Sequence, residues 1–262
     1  QILFFFLSLN IGLTIAIGAT VGRALGQGDR AKAQRLSASG LVHSCILSMI
    51  VSALAMPWRS DLLMLLGAKD EALAVADTFL LITLPSNVLL AAGMAFSGVL
   101  RAVGDAKRAM YVTLFGAFAT AIADPILIFG LGLGVKGAAW ATVISRFVIM
   151  AAGFWGAVKK HDLVARLHAS TAWQDIAPMI GIAGPAILTN LAAPVATSYM
   201  LSVFATFGEP IVAAFAIIDR VTPVAFGFLY ALSGSVGPIM AQNYGARNMP
   251  RVRRTLSDCF GV

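Results

Sequence analysis

Long apolar runs separated by short polar stretches make up most of this sequence, and they constrain its fold more than any other feature. A helix needs about 20 apolar residues to cross roughly 30 Å of hydrocarbon. An open strand leaves backbone groups unpaired in lipid, and a membrane barrel alternates polar and apolar residues, so we expect every run to be helical. The predicted helices cover residues 2–22, 37–57, 75–100, 109–131, 137–158, 176–206 and 210–241. The predicted fold class is therefore all-α, a polytopic membrane helix bundle.

Composition agrees with a membrane location. Of the 262 residues, 59% are apolar and 12% charged, whereas a soluble domain carries about 25% charged residues. The net charge of +7 comes from short basic clusters between the apolar runs and not from one basic face. We therefore expect a multi-pass protein of the cell membrane that contacts lipid and binds no nucleic acid.

Lys and Arg alternate from one connection to the next. Fourteen of them lie in residues 23–35, 101–108, 159–166 and 247–254, and the connections on the opposite side contain only Arg59, Lys69 and Lys136. The positive-inside rule makes the rich side cytoplasmic. On the outer side, residues 59–74 carry scattered charges and several leucines, which predicts a short helix at the interface.

A repeat organises the chain. Residues Gly26–Arg35 align with Gly245–Arg254 at a constant offset, and both copies end an apolar helix in a turn and begin the next helix with basic residues. Six predicted crossings separate the copies, so both face the same side of the membrane and the repeat is parallel. We expect the chain to be a fragment of a protein about twice as long, since it covers little more than one period.

Three stretches together resemble the multidrug and toxic compound extrusion (MATE) family. They are Gly26-Gln27-Gly28-Asp29, the stretch Gly98–Lys107, and Asp124-Pro125 continuing through the Gly132–Gly137 turn. The resemblance implies a two-lobed transporter with parallel six-helix repeats, in which this chain runs from the second helix to the beginning of the ninth. Residues 1–160 would form most of the N-terminal lobe, 161–175 a cytoplasmic linker, and 176–262 the start of the C-terminal lobe.

The resemblance also implies a function. Such a protein would export organic drugs or metabolites, cationic ones above all, in exchange for protons or sodium ions, as a monomer and without a cofactor. The alternative from the same superfamily is a flippase for lipid-linked precursors, which would need a cavity rich in Arg and Lys. We expect no enzymatic activity, because neither a His/Asp/Glu metal pattern nor a Gly-x-Ser-x-Gly motif occurs.

Asp124 is the strongest candidate for the coupling site, because acidic residues inside the membrane are rare and functional. Thr120 lies one turn earlier on the same face, and the hairpin between the two helices brings Thr142 to a similar depth. In the family, such an Asp-Pro and such a Thr belong to a cluster that binds a proton or sodium ion. This sequence has Thr120 where the family often has Asn. The alternative is that Asp124 stabilises the kink at Pro125 or pairs with Arg146.

The remaining candidates are assigned to a substrate cavity. Asn190 lies between Pro185 and Pro194, which predicts a broken helix near the membrane midplane. Asp219 and Arg220 are adjacent, and they point about 100° apart on a helix, so they cannot simply neutralise each other. Arg146 is either a part of this cavity or a member of a structural ion pair.

Overall fold

The computed structural model describes residues 2–65, 70–165 and 169–261. Within these ranges the chain is helical apart from short connections, and no strand occurs. The helices are α1 Ile2–Gly26, α2 Arg30–Ala55, α3 Arg59–Leu65, α4 Asp70–Thr83, α5 Asn87–Val103, α6 Ala106–Pro125, α7 Gly134–Phe154, α8 Ala169–Ala205, α9 Glu209–Ala225, α10 Gly227–Gly245 and α11 Met249–Phe260. Two π-helical segments extend α6 and α7, Ile126–Gly130 and Trp155–Lys160 respectively.

The predicted membrane helices are confirmed. Five helices are long and apolar enough to cross a membrane, and the number rises to seven if each of two bent pairs counts as one span. The bent pairs are α4 with α5, at 55°, and α9 with α10, at 51°. Each span corresponds to one predicted segment. At the predicted outer interface, α3 is a short helix of seven residues, and Arg59 at its start pairs with Asp77 of α4 at 2.8 Å.

The break predicted near Asn190 is wrong, because α8 continues through Pro178, Pro185 and Pro194 without ending. A proline removes one backbone donor, and transmembrane helices tolerate this where other groups satisfy the freed carbonyls. Along α8 the Thr189 hydroxyl donates to the Pro185 carbonyl at 2.9 Å, and the Asn190 amide donates to the Ala186 carbonyl at 2.8 Å, so both polar side chains bond within the helix. The helix also begins seven residues before the predicted segment, at Ala169.

The true interruptions lie elsewhere. The first separates α4 from α5 at Leu84-Pro85-Ser86, within the predicted segment 75–100. The second is at Phe226, three residues after Pro223 in α9. Both bends lie inside segments that are apolar enough on average to be predicted as single helices, so hydropathy alone did not reveal them.

Helix α1 is the centre of the bundle and packs against α2, α5, α8 and α10. Small residues allow these helices to approach closely. A Cβ atom at Gly12 would lie 2.5 Å from the Ile187 side chain of α8, and one at Gly98 of α5 would lie 2.9 Å from the Thr14 carbonyl. Close backbone approach is how helices gain packing energy in lipid, where apolar side chains gain nothing by leaving the solvent.

The two copies of the repeat fold into the same turn. Gly28 and its counterpart Arg247 both adopt left-handed backbone conformations, with φ of 77° and 56°. One residue later, Asp29 caps α2 by accepting from the Lys32 amide, and Asn248 caps α11 by accepting from the Arg251 amide. Because a cap side chain fixes where a helix begins, the two copies start the next helix at the same place.

The copies also contact each other reciprocally, which we call the glycine seam. A Cβ atom at Gly26 would lie 1.9 Å from the Gln242 carbonyl oxygen, and one at Gly245 would lie 2.2 Å from the Arg23 carbonyl oxygen. Under the repeat alignment Gly245 corresponds to Gly26, and Gln242 to Arg23. Gly26 thus meets Gln242, and the corresponding Gly245 meets the corresponding Arg23. Reciprocal contacts of this kind are the pattern of a twofold interface.

A polar cluster holds the connection after α7 against the ends of α2, α5 and α6 on the side that is predicted to be cytoplasmic. His161 Nε2 lies 2.8 Å from Asp105 Oδ2, and Arg108 pairs with the same carboxylate. Burial alone would raise the pKa of Asp105, but the hydrogen bonds from His161 and Arg108 outweigh it and lower the pKa from 3.8 to about 2. The Gln34 amide donates to the Asp162 carbonyl at 2.6 Å, so this connection is docked before α8 begins.

Candidate functional site

Asp124 lies on the half-buried stripe of α6. Thr120, Ala123, Asp124 and Leu127 are all partly covered, and Gly116 one turn before Thr120 is buried. Pro125 follows directly, and the helix then widens into the π-helical segment, in which the Leu131 amide donates to the Ile126 carbonyl at 2.8 Å. Wide turns of this kind are frequent at functional sites.

Helix α7 faces this stripe in antiparallel orientation. The Ser145 hydroxyl donates to the Gly116 carbonyl at 2.8 Å, and a Cβ atom at Gly137 would lie 2.6 Å from the Leu127 carbonyl oxygen. These two points fix the register between the helices. They place Thr142 within about one helical turn, or 5.4 Å, of the level of Asp124.

Both threonine hydroxyls use their hydrogen within their own helix. Thr120 donates to the Gly116 carbonyl at 3.2 Å, and Thr142 donates to the Ala138 carbonyl at 3.0 Å. A hydroxyl has one hydrogen and two lone pairs, so each oxygen is left as an acceptor. Together with the Asp124 carboxylate, this stretch of α6 and α7 offers oxygen ligands, which hard cations and protonated groups prefer.

The pairing of Asp124 with Arg146 is not found. No ion pair to Asp124 occurs within the described ranges. The Arg146 side chain instead crosses to the bend between α4 and α5, where it donates to the Thr83 carbonyl at 2.6 Å and the Ser86 hydroxyl at 2.7 Å. Within the described residues, Asp124 therefore forms no ion pair with Arg146 or with another cationic side chain.

The bend between α4 and α5 is a polar site that the sequence analysis missed. Thr83 and Asn87 are completely buried and Arg146 is 6% exposed. The Asn87 amide lies 3.4 Å from the Ser52 hydroxyl of α2, and its carbonyl oxygen has no partner in the described structure. Thr83-Leu84-Pro85-Ser86-Asn87, polar residues around a proline inside an apolar run, was the signal that could have found this bend.

Replacing Arg146 by Met tests whether this side chain is structural. The change keeps the side-chain length and removes both guanidinium hydrogen bonds, although the Thr83 carbonyl still accepts from the Ser86 hydroxyl at 2.8 Å. Since each hydrogen bond to a charged group contributes about 1.5 kcal/mol or more, we expect destabilisation of about 3 kcal/mol. Thermal unfolding of the purified complete protein measures this, with Arg253→Met on the exposed face of α11 as the control. An unchanged unfolding temperature combined with lost transport would instead favour the substrate cavity for Arg146.

The other candidates lie apart from Asp124. Asn190 is half-buried on α8, which packs on α1 and α2. Asp219 and Arg220 are exposed on α9, which packs on α8 and α10, and no ion pair to either occurs among the described residues. The register of α6 and α7 thus places Thr142 near the level of Asp124 and Thr120, while the predicted cavity residues are spread over three helices.

Comparison with known proteins places this arrangement in a family. The MatE family matches residues 1–126 and 185–262. The FAD transporter of Shewanella oneidensis is 30% identical over 258 residues, which are 95% of this chain and 56% of that protein. The multidrug export protein MepA of Staphylococcus haemolyticus is 27% identical over 245 residues, which are 91% of this chain and 53% of that protein. The chain thus spans about half the length of these relatives.

Solved structures agree with the sequence matches. A mutant of the Vibrio cholerae MATE transporter VcmN superposes with a TM-score of 0.88 at 28% identity, over 98% of this chain and 58% of that one. The family match covers most of the chain, and the apolar helices follow the same path as those of a MATE transporter. The chain therefore belongs to the MatE family of multi-pass membrane transporters.

Proposed function

We propose that the complete protein exports organic drugs or metabolites in exchange for a proton or a sodium ion that binds at Asp124. The observation that carries this proposal is a half-buried carboxylate in a membrane-spanning helix that forms no ion pair within the described residues. Thr120 lies one turn earlier on the same helix, and the register places Thr142 of α7 near the same level. An acidic group in this position is costly unless it binds and releases a cation. Arg146 is already bonded at the bend, which leaves little support for the diphosphate cavity of a flippase.

The lobes give the proposal its mechanism. In this proposal, residues 1–160 form the lobe that binds the ion and the second lobe begins with α8 at Ala169, earlier than the predicted boundary of 161–175, within a protein that works as a monomer. Ion binding at Asp124 changes how α6 packs on α7. The ion-bound protein then favours one of two positions of this lobe relative to the second lobe. A ligand can shift such an equilibrium only by its difference in affinity for the two states, so the site must differ between them.

The substrate class rests on relatives that carry the names multidrug export protein and FAD transporter. The complete protein is reconstituted in liposomes, and uptake of the cationic dye ethidium is followed under an imposed pH gradient or an imposed sodium gradient. We expect one gradient to drive uptake and the matching ionophore to abolish it. Uptake that neither gradient changes would contradict coupled exchange.

A further inference from the structure

A cavity of about 640 Å³ opens at the cytoplasmic end of the bundle, between α1, α2, α8, α10 and α11. We call it the cytoplasmic cavity. Most of its wall is apolar and includes Pro178 and Ile182 of α8 and Met240 of α10. Arg23, Lys32 and Arg35 also line it. A volume of this size is in the range that encloses a metabolite-sized molecule.

The charges of the cavity are unbalanced. Arg35 pairs with Asp175 at 3.1 Å, and that carboxylate is 3% exposed and also accepts from the Ser39 hydroxyl at 2.7 Å. Arg23 and Lys32 are exposed, and neither forms an ion pair in the part of the chain that the structure describes. The cavity therefore holds one neutralised cation and two cations that remain available.

An aromatic ring lies beside these cations. The Arg23 guanidinium is 4.4 Å from the centre of the Tyr244 ring, which also lines the cavity. A second cavity of about 530 Å³ shares Arg23, Gln27 and Tyr244 and adds Arg247. The positive side of the site thus continues from α1 to the turn between α10 and α11.

We propose that the cytoplasmic cavity binds a phosphate ester attached to an apolar or aromatic body. A guanidinium forms paired hydrogen bonds to phosphate, and a lysine adds a point charge, while the apolar wall and the Tyr244 ring suit the attached group. The proposal concerns binding, so it stands independently of the ion coupling at Asp124.

Two sources could supply this chemistry. One is a water-soluble metabolite that enters from the cytoplasm, and the other is an anionic lipid of the inner leaflet, since basic pockets between helices on this side bind lipid headgroups. The probes are flavin mononucleotide and riboflavin, which differ only by the phosphate, and phosphatidylglycerol against phosphatidylcholine.

Flavin anisotropy with the purified complete protein measures the first pair of probes. We expect flavin mononucleotide to bind at least about tenfold more tightly than riboflavin, and Lys32→Gln or Arg23→Gln to remove this difference, because a hydrogen bond to a charged group contributes about a factor of ten or more. Lys107→Gln is the matched control, because Lys107 also lies over an aromatic ring, that of Tyr111 at 6.0 Å, and does not line the cavity.

Native mass spectrometry measures the lipids. Retention of phosphatidylglycerol over phosphatidylcholine that Lys32→Gln abolishes supports the proposal with a lipid as occupant, whether or not flavin mononucleotide binds. The proposal is overturned if flavin mononucleotide does not bind more tightly than riboflavin and the anionic phosphatidylglycerol is not retained over the zwitterionic phosphatidylcholine, or if Lys107→Gln weakens binding as much as Lys32→Gln does. Neither result depends on dye transport, so a failure here and a failure of coupled export are distinguishable.

Discussion

Replacing Asp124 by Asn is expected to abolish gradient-driven transport in the complete protein. The substitution keeps the size and hydrogen-bonding shape of the side chain but removes the group that can bind a proton or attract a cation. No described side chain supplies another carboxylate beside Thr120 and Thr142. Since coupling free energies between sites correspond to about tenfold changes or more, we expect the transport rate to fall by at least about tenfold. Ethidium uptake under each gradient measures it.

Two further variants make this result specific. Asp124→Glu keeps the titrating group one methylene farther out, and we expect partial activity. Asp61→Asn removes an exposed carboxylate of α3 and should leave uptake unchanged. If Asp124→Asn transports at the original rate across the pH range, Asp124 is a structural polar group, and the coupling carboxylate must be sought at Asp219 or outside residues 1–262.

The second large effect is expected at the glycine seam, where Gly26→Ala should disrupt closure of the cytoplasmic side. The new Cβ atom meets a backbone carbonyl and not a flexible side chain, so α1 and α10 must move apart. Overpacking of this kind costs about 1–3 kcal/mol, which shifts an equilibrium between closed and open states by on the order of tenfold. Gly245→Ala should act in the same way.

Cysteine accessibility measures this opening. Cys45 and Cys259, both free thiols, are first replaced by Ser, and Thr20→Cys is introduced in the cytoplasmic cavity. We expect Gly26→Ala to speed labelling by an impermeant maleimide in inside-out vesicles. Gly237→Ala on α10 is the control, because its Cβ atom would meet nothing within 4 Å. Equal labelling rates for Gly26→Ala and Gly237→Ala would show that the seam does not close this side.

The sequence predicted the spans and the turns well, because both depend on local properties. Hydropathy located all seven apolar segments, and the Gly132–Gly137 turn was expected as a tight hairpin, which agrees with φ of 63° at Gly132 and 53° at Gly134. Repetition of the Gly28-Asp29 turn was visible because the cap residue and the following basic residues recur. In each case a few neighbouring residues decide the structure.

Tertiary partners were harder to predict. A pair between Arg146 and Asp124 was the alternative interpretation of both residues, yet the partners of Arg146 are a carbonyl 63 positions earlier and a hydroxyl 60 positions earlier. Which of two buried polar groups an arginine reaches depends on where a bend places them, and the bend at Pro85 was itself not predicted. The prolines of α8 show the opposite error. A break was predicted between Pro185 and Pro194, but the helix continues through both of them and through Pro178. The grouping of Asp124 with Thr120 and Thr142 remains a prediction about function.

The glycine seam looks the same from either copy of the repeat, since Gly26 faces Gln242 and Gly245 faces Arg23, the counterpart of Gln242. An interface with this symmetry does not distinguish its two sides, so it cannot determine which lobe responds to an ion. Such a difference has to come from residues that the repeat does not share. In the exchanger that we propose, substitutions near Asp124 would therefore change the driving ion without altering the glycine seam.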